Sequence, residues 1–212
     1  MRKIFSVLFA LVLVVSLGLV TAAPVLADGT VIYVPGDYPT IQEAVDAAGL
    51  GDTIRVAAGE YDAFLVLEKH NISIISTEGA TVTTCANSTS VNRGSIEDAW
   101  VMAVVKDSES IRIDGISFDG SAITGKQAVV GVAYIDSTGS IIHLTVESIA
   151  GTEVGIGVAI IGVGEGEATV PTVEVRGCTI ADSTVGVYVY DDSIVEAHFN
   201  RIIGNAVMGV HN

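Results

Sequence analysis

Residues 37–56, DYPTIQEAVDAAGLGDTIRV, decide how the chain begins to fold. Thr40 and Glu43 have the spacing of a capping box, which satisfies backbone donors at the first turn of a helix. Gly49 is placed to end that helix in the left-handed conformation. A helix of about nine residues is too short to be stable alone in water, so its apolar stripe must cover another surface. The stripe has the spacing i, i+3, i+4, i+7 and consists of Ile41, Ala44, Val45 and Ala48.

Upstream of this stretch, residues 1–27 have the pattern of a secretory signal peptide. Arg2 and Lys3 precede an unbroken apolar run over residues 4–20, and small residues follow it. We expect export, with cleavage between Ala27 and Asp28. The mature protein is then extracellular or on the cell surface, with the periplasm as an alternative, and no longer attached to a membrane. The other interpretation is an uncleaved anchor, because the run is nearly long enough to span a bilayer.

Charge and cysteine content exclude several classes of protein. Removal of residues 1–27 leaves 8 basic and 25 acidic residues, a net charge of −17 on 185 residues. This charge argues against nucleic acid and anionic lipid surfaces as partners. The two cysteines, Cys85 and Cys178, are too few for a disulfide scaffold, and both lie in apolar alternation typical of small core residues.

Most of the remaining chain repeats two strand units. The first unit occurs as SIRIDGISFDGS, IIHLTVESIAG, TVEVRGCTIADS and SIVEAHFNRIIGN, and the second as VVGVAYID, VGIGVAII, TVGVYVYDD and AVMGVHN. The residues that begin the first unit are spaced by 31, 31 and 22 positions: Ile111, Ile142, Val173 and Val195. The turn pairs of β-hairpins are missing between these strands, so the pattern predicts parallel stacking in a solenoid.

The stretch YVPGDYPTIQEAVDAAGLGDTIRVAAGEY and the units after it resemble the pectin lyase-like superfamily, with repeats of the PbH1 type. The resemblance covers about residues 31–212. It implies an all-β, right-handed parallel β-helix, in which a short N-terminal α-helix caps the open end of the first coil. We therefore expect one domain, with an N-terminal strand and capping helix over residues 28–53 and coils over residues 54–212. Since the last unit has no cap, we expect coils to continue beyond Asn212 in a longer protein.

The resemblance leaves the activity open, because this superfamily contains lyases, hydrolases, esterases, epimerases, adhesins and non-catalytic proteins. It implies a secreted protein that binds or processes a pectin-like extracellular polysaccharide. An enzyme of this kind would be a polysaccharide lyase, a glycoside hydrolase or a carbohydrate esterase. The alternatives are a non-catalytic structural or adhesive solenoid at the cell surface and a periplasmic NosD-like accessory protein. Nothing in the sequence resembles a copper site.

One candidate residue comes from the stretch GKQAVVGVAYID. It is similar to the pectin methylesterase segment in which a glutamine helps to hold the oxyanion, and this resemblance assigns that role to Gln127. Those esterases also need two aspartates and an arginine, and the downstream IIHLTVESIAGTEVG offers no matching nucleophile. The GHG and RIK motifs of polygalacturonases are missing too. A polar residue that simply opens a strand is the alternative interpretation.

A second candidate site follows from stacking the units on their first residues. The stacking predicts two outward rows, Arg112, His143, Glu174, Glu196 and Asp114, Thr145, Arg176, His198. Sugar-acid enzymes of the superfamily use such a strip, with a base beside a cation that neutralises the substrate carboxylate. The candidate catalytic residues are Glu174, Arg176, Glu196 and His198. Charge pairing between neighbouring coils, without any substrate, is the alternative.

The third candidate is the segment GVYVYDD. If Val187 and Val189 face inward, two tyrosines form an exposed platform of the kind on which sugar rings stack. The carboxylates that follow could bind sugar hydroxyls, or Ca²⁺ as a possible cofactor. The predicted substrate-binding residues are Tyr188, Tyr190, Asp191 and Asp192. No metal site with nitrogen or sulfur ligands is predicted, because the four histidines are scattered along the chain.

Overall fold

The computed structural model describes residues 29–87, 98–162 and 170–207. The predicted signal peptide, residues 1–27, lies outside these ranges, and so do the last residues of the coil region. Across the described ranges no helix is long and apolar enough to cross a membrane.

The described strands form three sheets. Sheet A consists of β1 (Val31–Val34), β2 (Thr53–Val56), β5 (Ser73–Ile75), β9 (Ile111–Asp114), β12 (Gly139–Ile142), β15 (Thr172–Arg176) and β18 (Ile194–His198). Sheet B consists of β3 (Gly59–Tyr61), β6 (Ala80–Val82), β10 (Ser117–Asp119), β13 (Thr145–Glu147), β16 (Thr179–Ala181) and β19 (Arg201–Ile203). Sheet C consists of β4 (Phe64–Leu67), β8 (Trp100–Lys106), β11 (Ala128–Ile135), β14 (Val154–Ile161) and β17 (Val185–Tyr190), and β7 (Ala86–Asn87) pairs with β8.

The chain visits sheets C, A and B in turn, and each strand pairs in parallel with the strand of the same sheet one coil later. The antiparallel contact of β7 with β8 is the exception among the described pairs. Like residues consequently pile up inside the coils, as in the sheet A ladder of Ile54, Ile74, Ile113, Ile141 and Val175. These ladders confirm the predicted all-β parallel β-helix.

The helix of the opening stretch is α1 (Ile41–Ala47). Thr40 Oγ1 accepts a hydrogen bond of 3.1 Å from the Glu43 backbone N–H, as the capping box predicts. The predicted stripe is buried, and the Gln42 side chain fixes the helix to β4 through two hydrogen bonds with the Leu65 backbone. The helix therefore covers the core at the first coil.

The predicted end of this helix is wrong in one respect. Gly49 does not adopt positive φ, because the chain leaves the helix one residue earlier through Ala48 in an extended conformation with φ −65° and ψ 134°. The Asp52 carboxylate accepts the Gly49 backbone N–H at 2.8 Å. This hydrogen bond, together with others to Thr30, lowers the pKa of Asp52.

The corner between sheets A and B repeats from coil to coil. Gly115, His143, Gly177 and Phe199 occupy it, all with φ between 50° and 69°. The backbone N–H groups of the first three donate to carbonyl groups one coil later, at 2.9 to 3.0 Å. Side chains near the corner therefore project from equivalent positions on successive coils.

Sheet C is apolar on its outer face as well as on its inner face. Its outward residues form a second buried cluster, separate from the core: Ala99, Val101, Val104, Val130, Ala133, Ile135, Ile156, Ala159, Ile161 and Tyr188. Strands with apolar side chains on both faces are typical of sheets buried on both sides. Sheet C is therefore largely covered on both faces.

Candidate functional site

Two rows of side chains run along the outer face of sheet A. Parallel pairing of the strands places one row as Ser73, Arg112, Ser140, Glu174 and Glu196. The second row is Ile75, Asp114, Ile142, Arg176 and His198. We call these two rows the polar strip. It brings the four predicted catalytic residues onto two neighbouring strands, with Glu174 paired to Glu196 and Arg176 paired to His198.

The predicted register of one strand in the strip is wrong by three residues. Ile111 pairs with Gly139, and not with Ile142 as predicted. As a result, His143 lies at the corner after β12, and Thr145 begins β13 in sheet B. The strip therefore contains Ser140 and Ile142 at the positions predicted for these two residues.

His143, which lies outside the strip, belongs to a charged cluster with Arg112 and Asp114. Asp114 is largely buried, and its two carboxylate oxygens accept hydrogen bonds from Arg112 Nη2 and, at 3.1 Å, from His143 Nδ1. A carboxylate at Nδ1 favours the tautomer that carries hydrogen there, which leaves Nε2 as an acceptor. The imidazole lies against Gly177, where a Cβ atom would be only 2.8 Å from His143 Cδ2. The cluster thus holds an imidazole whose Nδ1 is engaged by Asp114 and whose Nε2 is left as a hydrogen-bond acceptor.

The four predicted catalytic residues differ in how they are engaged. Glu174 Oε1 and Arg176 Nε form an ion pair at 3.3 Å on the same strand, with both side chains partly exposed. The exposed side chains of Glu196 and His198 have no such partner among the residues that the structure describes. Catalysis by these residues stays a prediction.

Gln127 lies away from the strip, just before β11 of sheet C. Its side chain is exposed, and Nε2 donates to Glu153 Oε1 at 2.7 Å. Its backbone carbonyl also accepts from the Glu153 backbone N–H. The structure therefore places Gln127 in a contact between two coils, and its role as an oxyanion donor stays a prediction.

The tyrosine platform differs from the prediction. Val187 and Val189 face the core as expected, but Tyr188 is only 9% exposed because it belongs to the outer apolar cluster of sheet C. The rings of Tyr188 and Tyr190 stack on each other, with centroids 6.0 Å apart and planes inclined by 7°. The prediction that both tyrosines are exposed is therefore wrong for Tyr188, which is buried. Tyr190 is partly exposed.

The turn after the tyrosines carries the two predicted carboxylates. Asp191 and Asp192 are both exposed, and the Asp192 backbone N–H donates to Asp191 Oδ1 at 3.2 Å. In the part of the chain that the structure describes, no three His, Cys, Asp or Glu side chains are grouped so that they could hold a metal ion. Binding of Ca²⁺ at this turn stays a prediction.

No family model, curated protein or solved structure matches the chain.

Neither cysteine is a member of the polar strip. Cys178 is a core residue, as predicted, and burial raises the pKa of its thiol. Cys85 is half-buried at a shallow groove that Glu60, Asp119 and Lys126 also line, and burial raises its pKa as well. A raised pKa keeps a thiol protonated near neutral pH, which disfavours the thiolate that acts as a nucleophile.

Sequence reasoning missed one exposed residue beside the strip. Phe199 follows His198 directly and occupies the corner after β18, where it is 92% exposed. In the unit SIVEAHFNRIIGN it continues the apolar alternation of Val195 and Ala197, which predicts an inward position. The signal that could have identified it is its alignment with the glycines of SIRIDG and TVEVRG, which mark a corner.

Proposed function

We propose that this protein is an extracellular parallel β-helix of the pectin lyase-like type that binds an extended polysaccharide along the polar strip. The observation that carries the proposal is the register of the strip. Charged and hydroxyl side chains recur on the outer face of four consecutive strands of sheet A, from β9 to β18. A surface that repeats along the solenoid axis suits a ligand that is itself a chain of repeated units.

The charge of the protein narrows the choice of polymer. A net charge of −17 after removal of residues 1–27 disfavours nucleic acid, and it disfavours a fully de-esterified polyuronate unless a cation bridges the carboxylates. The strip itself combines acidic side chains with Arg112 and Arg176. Neutral or methyl-esterified polysaccharides are therefore the favoured ligands, and an acidic polymer would require Ca²⁺.

Binding should grow with the length of the ligand, because each sugar makes few contacts on an open face. We expect the affinity for methyl-esterified galacturonan oligosaccharides to rise with chain length in isothermal titration calorimetry. Loss of the ion-paired groups in a Glu174→Ala, Arg176→Ala double variant should lower the affinity at least about tenfold. A Glu147→Gln variant, which alters an exposed carboxylate on sheet B, serves as the control and should bind like the wild type.

Titrations with and without Ca²⁺ separate the esterified from the acidic ligand, and product analysis in the same samples tests for cleavage. Failure of the wild-type protein to bind oligosaccharides of any length under either condition would contradict the proposal.

A specific observation favours a second candidate, a non-catalytic surface solenoid. Arg112 pairs with Asp114, and Glu174 pairs with Arg176, each within one strand. In such pairs the charged groups already compensate each other, so they need no ligand. This candidate would be supported if the protein bound no saccharide and the double variant kept the stability of the wild type.

Export is the second part of the proposal. We expect the mature protein to begin at Asp28, because the segment TAAPVLA after the apolar run ends in Ala27, a small residue of the kind found at signal-peptide cleavage sites. N-terminal sequencing of protein recovered from the culture medium or the periplasm checks this expectation. Recovery of the intact Met1 terminus from the membrane fraction would instead identify residues 4–20 as an anchor.

A further inference from the structure

Phe199 is the most exposed large apolar residue in the described structure, with 92% of its surface accessible. It occupies the corner between β18 and β19, directly after the two outward residues of β18 in the polar strip. Isolated apolar residues on a surface are common and need no explanation of their own. The backbone conformation of Phe199 provides a further reason to consider it.

The backbone of Phe199 has φ 57°, in the left-handed region that bulky side chains rarely adopt. Eleven non-glycine residues of the described chain have positive φ, and the other ten are polar. At the same corner of earlier coils the chain uses Gly115, His143 and Gly177. Phe199 therefore combines an unfavourable backbone conformation with high exposure, and strained residues of this kind concentrate at functional sites.

The ionisable side chains next to Phe199 are the least engaged of those in the polar strip. On earlier coils, Asp114 binds both Arg112 and His143, and Glu174 binds Arg176. The outward side chains of β18, Glu196 and His198, form no hydrogen bond or ion pair with other described residues. Because they alternate along one strand, they face the same side as one another. Their hydrogen-bonding groups are thus available to a ligand.

We infer that Glu196, His198 and Phe199 form a saccharide subsite at the end of β18. The phenyl ring stacks on the apolar face of a pyranose ring, while the Glu196 carboxylate accepts hydrogen bonds from sugar hydroxyls. The His198 imidazole supplies both a donor and an acceptor for a neighbouring hydroxyl. This inference rests on the proposed binding of polysaccharide, and it replaces the predicted tyrosine platform with Phe199. It assigns Glu196 and His198 to binding.

Replacement of Phe199 by asparagine separates binding from folding, because asparagine tolerates the left-handed conformation. We expect the Phe199→Asn variant to keep or exceed the melting temperature of the wild type. Its affinity for methyl-esterified galacturonan oligosaccharides should fall about five- to tenfold, since one stacking contact is lost. A Phe199→Trp variant should bind at least as tightly as the wild type.

The matched control is Ile203→Asn, which makes a similar change at an exposed residue of β19 outside the subsite. It should bind with wild-type affinity. A Glu196→Gln, His198→Ala variant should bind more weakly, in the same direction as Phe199→Asn.

The outcomes distinguish this inference from the proposed function. If the wild type binds oligosaccharides and Phe199→Asn binds equally well, the subsite is wrong and the polysaccharide proposal stands. If Phe199→Asn and Ile203→Asn weaken binding equally, the effect is not specific to the corner and the subsite is also wrong. If the wild type binds no saccharide, both proposals fail together.

Discussion

Replacement of Val45 by aspartate is expected to lower the free energy of unfolding by about 4 kcal/mol. Val45 lies in the middle of α1, is 1% exposed, and faces the core beneath the helix. A carboxylate placed there loses its hydration, and no cation lies in the stripe to compensate the charge. Urea denaturation followed by circular dichroism measures the loss.

The pH dependence of this variant gives a second readout. Burial raises the pKa of the introduced carboxyl above its unfolded value of about 3.9, so the native state holds a proton that the unfolded chain releases. The stability of the variant therefore falls as the pH rises from about 3.9 to the raised pKa of the buried carboxyl. Its loss of stability relative to the wild type should be smaller at pH 4 than at pH 7. Ala47→Asp, at an exposed position of the same helix, should cost less than about 1 kcal/mol. If the wild type and the Val45→Asp variant were equally stable, the prediction that α1 caps the core would be wrong.

Replacement of Phe118 by alanine is expected to cost about 4 kcal/mol, the usual range for removing a buried phenyl ring. Phe118 is fully buried in sheet B, in a ladder between Val82 and Val146. Its ring also packs against Phe64 of sheet C, with centroids 6.3 Å apart. The substitution therefore leaves a cavity between two sheets, and neighbouring coils prevent its closure.

A matched comparison uses the exposed phenylalanine of the same chain. Phe199→Ala removes an identical ring from a solvated corner, and it should change the free energy of unfolding by less than about 1 kcal/mol. Chemical denaturation of both variants under the same conditions measures the difference. A loss below about 1 kcal/mol for Phe118→Ala would contradict the close packing between sheets B and C.

The fold was predictable because two independent signals in the sequence agree. The capping box and apolar stripe of residues 40–48 gave the helix and its buried face, and the structure reproduces both. Recurrent alternating units gave parallel strands, since like residues must meet one coil later. Signals of this kind are local or repeated, and a single sequence is sufficient to read them.

The register of β12 could not be read in the same way. The strand begins at Gly139 and Ser140, which carry no apolar side chain to mark its start. The adjacent pair Ile141 and Ile142 follows, and either isoleucine can be taken as the inward residue. The structure places Ile141 in the core ladder, so Ile142 lies on the outer face between Asp114 and Arg176. Alternation shows which residues face inward only where apolar and polar residues alternate regularly. The two adjacent isoleucines interrupt that regularity.

The error at the tyrosines has a different cause. Alternation correctly placed Val187 and Val189 inward, but an outward position is exposed only if the outer face is polar. The runs AVVGVAYI and VGIGVAII lack polar residues on either face, which is the pattern of a sheet covered on both sides. Tyr188 pairs with Ala159 in that apolar surface and is buried with it.

The position of α1 in the chain has a consequence for the order of assembly. In the chain, α1 follows β1 and precedes all the other described strands. It is therefore synthesised before the coils whose apolar interior it covers. A chain that emerges amino terminus first can complete this end while its later coils are still unmade. Each new coil then meets an ordered parallel edge made by its predecessor, because pairing joins successive coils. The protein can therefore grow in the direction of its own synthesis, one coil at a time.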